Sequence, residues 1–188
     1  MKSVFSRLGA ISLLVGLVAC GSPGADNNNA SQNKGLKVVT TFLPITLFTE
    51  AVAGDCAEVT ALIPPNLGPH DFQATPATAS ALSQAQVLVE NGLDMEEFLE
   101  KLVSSVENEH LVTINTSSGV KTLESSEPDY LDHGEVNPHI WLDPVRAAQQ
   151  VENIRDGLVE ADPGCSSTYQ KNAELYTQKL KDLNNDIA

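Results

Sequence analysis

Four histidines and three cysteines are the side chains of this 188-residue chain best suited to metal or thiol chemistry. Two of the histidines directly follow a proline, in Gly68-Pro69-His70-Asp71-Phe72 and in Asn137-Pro138-His139-Ile140-Trp141-Leu142-Asp143-Pro144. Neutral imidazoles are good ligands for zinc and other borderline divalent ions. A proline beside the ligand restricts the backbone and favours a preset site. Read from the residues alone, a pair of buried structural histidines remains the alternative. His133, in Tyr130-Leu131-Asp132-His133-Gly134-Glu135, reads as an auxiliary metal ligand or a solvated loop side chain. His110 precedes a strand at the opposite edge and is a poor candidate. Asp143 is best explained as a helix cap; Asp71 is a candidate for a partner that orients a histidine. Trp141 and Phe72 either shield the site from water or serve as plain core. A small metal hydrolase built on His70 and His139 would be a different class of function. The chain has no HExxH, no GxSxG elbow and no nucleophile with a partnered base, which disfavours it.

The elements that must position these residues alternate between strand and helix. β-rich or apolar runs at 36–42, 57–63, 87–89 and 111–114 read as four strands. Pro44 opens a helix ended by Gly54, and Thr75-Pro76 is an N-cap with proline at the first helical position. Asp94-Met95-Glu96-Glu97 reads as a capping arrangement before the Phe98, Leu99, Leu102, Val106 face. Asp143-Pro144 opens a helix with Val145, Ala148, Val151, Ile154 and Leu158 at its apolar positions. Asp162-Pro163 opens the last, where Tyr169, Ala173, Tyr176, Leu180, Leu183 and Ile187 share one face. Residues 117–137 read as a long polar surface loop. The alternation predicts an α/β fold, a four-stranded parallel sheet with helices on both faces, followed by a long C-terminal helix. Ligands in such folds sit beyond the carboxyl ends of the strands. His70 follows strand two and His139 follows strand four, so both project from that edge.

The N-terminus reads as an export signal over residues 1–19. Lys2 and Arg7 precede an apolar run too short to span a bilayer, and Leu17-Val18-Ala19-Cys20 resembles a bacterial lipobox. Residues 20–35 are rich in Gly, Asn and Ser and read as a flexible tether anchored to a membrane through lipid on Cys20. An α/β lobe is expected over 36–162. The formal charge of −14, from 25 acidic and 11 basic side chains, argues against a nucleic-acid partner.

Three separated strings carry a resemblance. Ile63-Pro64-Pro65 leads to Pro69-His70-Asp71-Phe72 and Thr75-Pro76; Asn91-Gly92-Leu93 leads to Phe98-Leu99; and Pro138-His139-Ile140-Trp141-Leu142-Asp143-Pro144 follows. In that order they resemble the metal-binding lipoproteins of bacterial zinc and manganese ABC importers, the ZnuA-like periplasmic family. The closing stretch through Ala161-Asp162-Pro163 to Tyr169 is similar as well. The resemblance implies two α/β lobes joined by a long rigid helix, with the ion held between them. It places two metal ligands on His70 and His139, and assigns a third histidine and a carboxylate to the second lobe. This sequence does not contain that lobe, and the expectation is an N-terminal fragment with a truncated connecting helix at 163–188. The implied function is capture of Zn2+, or alternatively Mn2+ or iron, by a monomeric, non-enzymatic lipoprotein. It would lie in the cell envelope and deliver the ion to an inner-membrane ABC permease. Some relatives also carry a cell-adhesion label, for which the 117–137 loop is the one candidate surface.

Cys56 and Cys165 match no zinc-ribbon or CxxC spacing. Cys56 precedes strand two, at the edge away from His70. The helix from Pro144 starts near His139 and reaches that same far edge before Cys165. An exported protein can keep a disulfide, so Cys56–Cys165 is the expected pairing, with two buried free thiols as the alternative.

Overall fold

The computed structural model describes residues 35–122 and 136–187. Cys20 and His133, with the signal expected at 1–19 and all of the expected tether but Gly35, lie outside the described residues. Four strands, β1 (Leu36–Thr40), β2 (Ala57–Ala61), β3 (Val87–Glu90) and β4 (Val112–Asn115), form one parallel sheet in the order β2-β1-β3-β4. Val38 of β1 pairs with Val59 of β2 on one side and with Val87 of β3 on the other. The position of each strand explains its composition. Central β1 and β3 are covered on both faces, so Val38, Val39, Val87, Leu88 and Val89 are all buried. The outer strands β2 and β4 are half exposed.

Five helices flank the sheet: α1 (Leu43–Ala53), α2 (Pro76–Gln84), α3 (Leu99–Ser105), α4 (Pro144–Ala161) and α5 (Ser166–Ile187). They cover both faces, with α1, α4 and α5 packed on one another and α2 packed on β1 and α3. The local signals explain most boundaries. Pro44 sits in the first turn of α1, and Gly54 ends that helix at φ 53. Thr75 caps α2 reciprocally with Thr78. The Asp143 carboxylate accepts from the Val145 and Arg146 amides at the start of α4. Strand β2 stops at Ala61, but the amides of Leu62 and Ile63 still donate to the Thr40 and Thr41 carbonyls, so the ladder fades only before Pro64.

Three expectations are corrected. Asp94–Glu97 do not cap a helix. Gly92, Leu93 and Asp94 take φ values of 81°, 58° and 57°, and α3 begins only at Leu99. The cause is Glu96, whose carboxylate is buried and turns inward to donors at the strand ends rather than to a helix N-terminus. Second, Val145 is 61% exposed, whereas Gln150 is fully buried. The amide of Gln150 finds partners just beyond β3 and β4, which an apolar pattern does not foresee. Third, α5 starts at Ser166 because Pro163–Cys165 form a separate 3-10 turn, and Leu183 and Ile187 of its apolar face are exposed.

Two turns at the amino edge of the sheet, Gly54–Cys56 and Pro163–Cys165, meet where Cys56 and Cys165 are joined by a disulfide. Their Cα atoms lie 6.2 Å apart across a separation of 109 residues. Asn172 of α5 reinforces the junction by donating from Nδ2 to the Val52 carbonyl. Closing so long a loop removes freedom from the unfolded chain, at about 4–5 kcal/mol in the chain-entropy model. Replacing both residues, C56S together with C165S, is therefore expected to lower unfolding free energy by about 2–5 kcal/mol in a denaturant titration. Thiol counting on denatured, unreduced protein carrying C20S should find no reactive thiol.

Candidate metal centre

Each candidate ligand stands on a short turn at the carboxyl edge of the sheet. His70 is the middle residue of the 3-10 turn Pro69–Asp71, which the Pro64-Pro65 break after β2 makes possible. Phe72 anchors that turn by packing edge-on against Phe98, with ring centroids 4.7 Å apart. His139 immediately precedes the turn Ile140–Leu142, which feeds into α4. The two imidazole centroids lie 6.4 Å apart with an interplanar angle of 45°. Two imidazoles bound to one tetrahedral zinc, with Zn–N of about 2.0–2.1 Å, have centroids roughly 5 Å apart. A small side-chain rotation closes that difference.

His139 is the more buried of the two. Asn137 Oδ1 accepts from the His139 backbone amide at 3.0 Å and lies 3.0 Å from its Nδ1. The backbone amide can only donate, so the atom facing it is the carboxamide oxygen, and Nδ1 must carry a proton to meet it. In the neutral form of the ring the lone pair is then on Nε2. This is the usual outer arrangement of a ligating histidine, in which one nitrogen is fixed by a hydrogen bond and the other is directed at the ion. Trp141 packs with its ring centroid 5.0 Å from that of His139 and makes an edge contact with Phe42 at 4.9 Å.

Asp71 is exposed within its turn, and Asp143 is the cap of α4, also paired with Arg146. His110 is exposed before β4, and its amide is held by Asn108 Oδ1. The structure therefore brings together His70 and His139 and leaves His110 apart. Among the described residues, no three His, Cys, Asp or Glu side chains converge as a metal-holding group. An open groove of about 970 Å³ extends from His70 along α3, lined by Phe72, Met95, Glu97, Phe98 and Lys101.

A family model described as "ZnuA: Zinc-uptake complex component A periplasmic" matches residues 38–188. The chain belongs to this family. It is 36% identical over 185 residues to the high-affinity zinc uptake system protein ZnuA of Bacillus subtilis, covering 94% of this chain and 57% of that protein. It is 35% identical over 173 residues to the manganese-binding lipoprotein MntA of Halalkalibacterium halodurans, covering 92% and 55%. The Zn(II)-bound ZnuA-like domain of Streptococcus pneumoniae AdcA superposes with a TM-score of 0.70 at 34% identity, over 80% of this chain and 54% of that one. The chain thus spans about half the length of the relatives it matches. ZnuA-family proteins are uptake components rather than enzymes.

In this ZnuA-family chain the residues that sequence reasoning missed lie around the carboxyl end of β3. Glu96 Oε1 accepts from Thr41 Oγ1 at 2.6 Å and from the Asn91 amide at 2.8 Å, while Oε2 accepts from the Gly92 amide at 3.2 Å. Burial raises its pKa, and these hydrogen bonds only partly oppose that. Glu90 is pushed up to about 7, first by desolvation and then by the nearby Glu96, against a hydrogen bond from Asn115. The sequence signal was available in the Asn91-Gly92 pair after β3. Gly92 has φ 81°, and an added Cβ would lie 2.5 Å from Asn115 Oδ1, so no other residue fits without movement.

The raised Glu90 pKa fixes the sign of a stability profile. Below the ordinary carboxyl value of 4.5 both folded and unfolded states are protonated; between there and about pH 7 the folded state retains the proton that the unfolded state has lost. Stability contributed by this group is thus complete at low pH and declines as pH rises to about 7. The neutral isostere E90Q should melt at higher temperature than the parent at pH 8. Its advantage should shrink on going down to pH 4.5, measured by thermal denaturation across that range.

Proposed function

We propose that this chain captures a divalent metal ion outside the cytoplasmic membrane for an ABC importer, with His70 and His139 as the ligands it contributes. The observation that carries the reading is the meeting of two proline-flanked imidazoles at the sheet's carboxyl edge, 6.4 Å apart. The ion is cargo, and the work is selective binding followed by release to a permease. Zinc is favoured over manganese because both ligands are imidazoles, whereas manganese prefers more oxygen donors and higher coordination. The names of the relatives support either metal, since one is called a zinc uptake protein and another manganese-binding. Two imidazoles supply half of a tetrahedral shell, so water or donors beyond these two complete it. Processing at Cys20 and lipid attachment there would hold the monomeric protein at the membrane surface, near its permease.

Titration of the chain with zinc against a chromophoric chelator tests the assignment. Zinc should bind more tightly than manganese, and His70→Ala and His139→Ala should each weaken zinc by at least tenfold. Undiminished zinc binding in the double variant would sink the reading.

A further inference from the structure

The peptide plane that precedes His139 has an unusual attachment. Pro138 has no amide hydrogen, so its carbonyl oxygen is that residue's one backbone hydrogen-bonding group. That oxygen accepts from Asn91 Nδ2 at 3.0 Å and from the Ile140 amide at 2.8 Å. The carbonyl of Pro138 and the amide of His139 belong to one rigid plane. Fixing the oxygen therefore fixes the direction of the His139 N–H, which grips Asn137 Oδ1 together with Nδ1.

Asn91 is completely buried, and every polar atom of its side chain is engaged. Its Nδ2 also donates to the Gly92 carbonyl at 2.9 Å, and its Oδ1 accepts from Gln150 Nε2 at 3.0 Å. Two carbonyls face Nδ2 and a donor faces Oδ1, so the carboxamide has only one workable orientation. Gln150, itself fully buried on α4, donates from the same nitrogen to Thr116 Oγ1 at 2.8 Å. Its Oε1 is buried without a hydrogen-bond partner. A polar side chain retained at such a cost, where an apolar one would fit a helix core, has a role in the network it serves.

We propose that Asn91, locked in orientation by Gln150, is a positioning residue for the metal site: it sets the His139 tautomer and ring direction through the Pro138 carbonyl. This rests on the reading of His139 as a ligand only for its effect on affinity; the effect on the ring is independent of metal. Without Asn91 the Pro138–His139 plane can rotate, the grip on Asn137 loosens, and Nδ1 and Nε2 compete for the proton. Loss of outer hydrogen-bond partners of a ligating histidine lowers metal affinity about 10–100-fold.

The test compares Asn91→Ala, Gln150→Met and Val52→Ala with the parent chain. Val52 is fully buried in α1 and serves as a control for general destabilisation. The deciding readout is the pair of His139 ring nitrogen shifts in metal-free protein at pH 8, from long-range proton–nitrogen correlation spectra. The parent and Val52→Ala should show the Nδ1–H tautomer, and Asn91→Ala a mixture. Gln150→Met should show a smaller shift in the same direction, and it decides the matter alone if Asn91→Ala does not fold. Zinc affinity should fall at least tenfold in Asn91→Ala and stay within twofold in Val52→Ala. An unchanged tautomer in the network variants, or the same change in Val52→Ala, overturns the proposal. A shifted tautomer in a chain whose parent binds no zinc upholds the positioning role and instead removes the metal reading.

Discussion

The carboxyl end of β3 is governed by two buried polar side chains, Glu96 and Asn91, whose hydrogen bonds have to be made together or lost together. Leaving one such group unpartnered in the interior costs about 1–3 kcal/mol. Glu96 ties β1 through Thr41 to the backbone after β3. Asn91 ties that backbone to α4 and to the Pro138–His139 peptide, and its carbonyl accepts from the Ser117 amide after β4. Each constraint is modest. In combination they leave the ends of three strands, one helix and one histidine turn a single mutually consistent arrangement. A low dielectric makes such a network rigid when complete and costly when broken.

The network also explains the local backbone. A glycine in the left-handed region followed by two non-glycine residues with positive φ is expensive, and it persists because the surroundings over-determine it. The turn carries Glu96 back beneath its own strand. It also brings Glu96 close enough to Glu90 to raise the latter's pKa. The candidate site is thus built on a strained corner held by buried hydrogen bonds, at the edge of a parallel sheet where connections leave room for ligands.

How much of this was legible in the sequence depends on the kind of signal. The strands, the parallel sheet and the shared edge of His70 and His139 follow from alternation, and alternation is a property of apolar residues. Caps announce themselves through Thr75-Pro76 and Asp143-Pro144, since their chemistry is local. Asn91, Glu96 and Gln150 act over separations such as the 59 residues between Gln150 and Asn91, and no local pattern reports that. Asp94 and Glu97 were actively misleading, because two acids three residues apart before an apolar run look like an N-cap and its N3 partner. The apolar pattern misjudged Val145 for a related reason: periodicity identifies a face, but the position of that face relative to α5 and the sheet decides which end of it is covered.

The two histidines are unequal, and the inequality bears on how an ion would be taken up. His139 is half-buried, held at its amide and at Nδ1, and backed by Trp141. His70 is exposed on a turn closed by long backbone hydrogen bonds of 3.3 and 3.4 Å, beside an open groove. In the proposed reading, binding brings the two centroids from 6.4 Å to roughly 5 Å, with one imidazole shielded by protein and the other reached by solvent. Shielding both would slow exchange, because water and competing ligands would have no path to the ion. In that reading, a cargo that must also leave is better served by one shielded and one exposed ligand. The shielded imidazole excludes water from its side of the ion, while the exposed one leaves a route for ligand exchange on release.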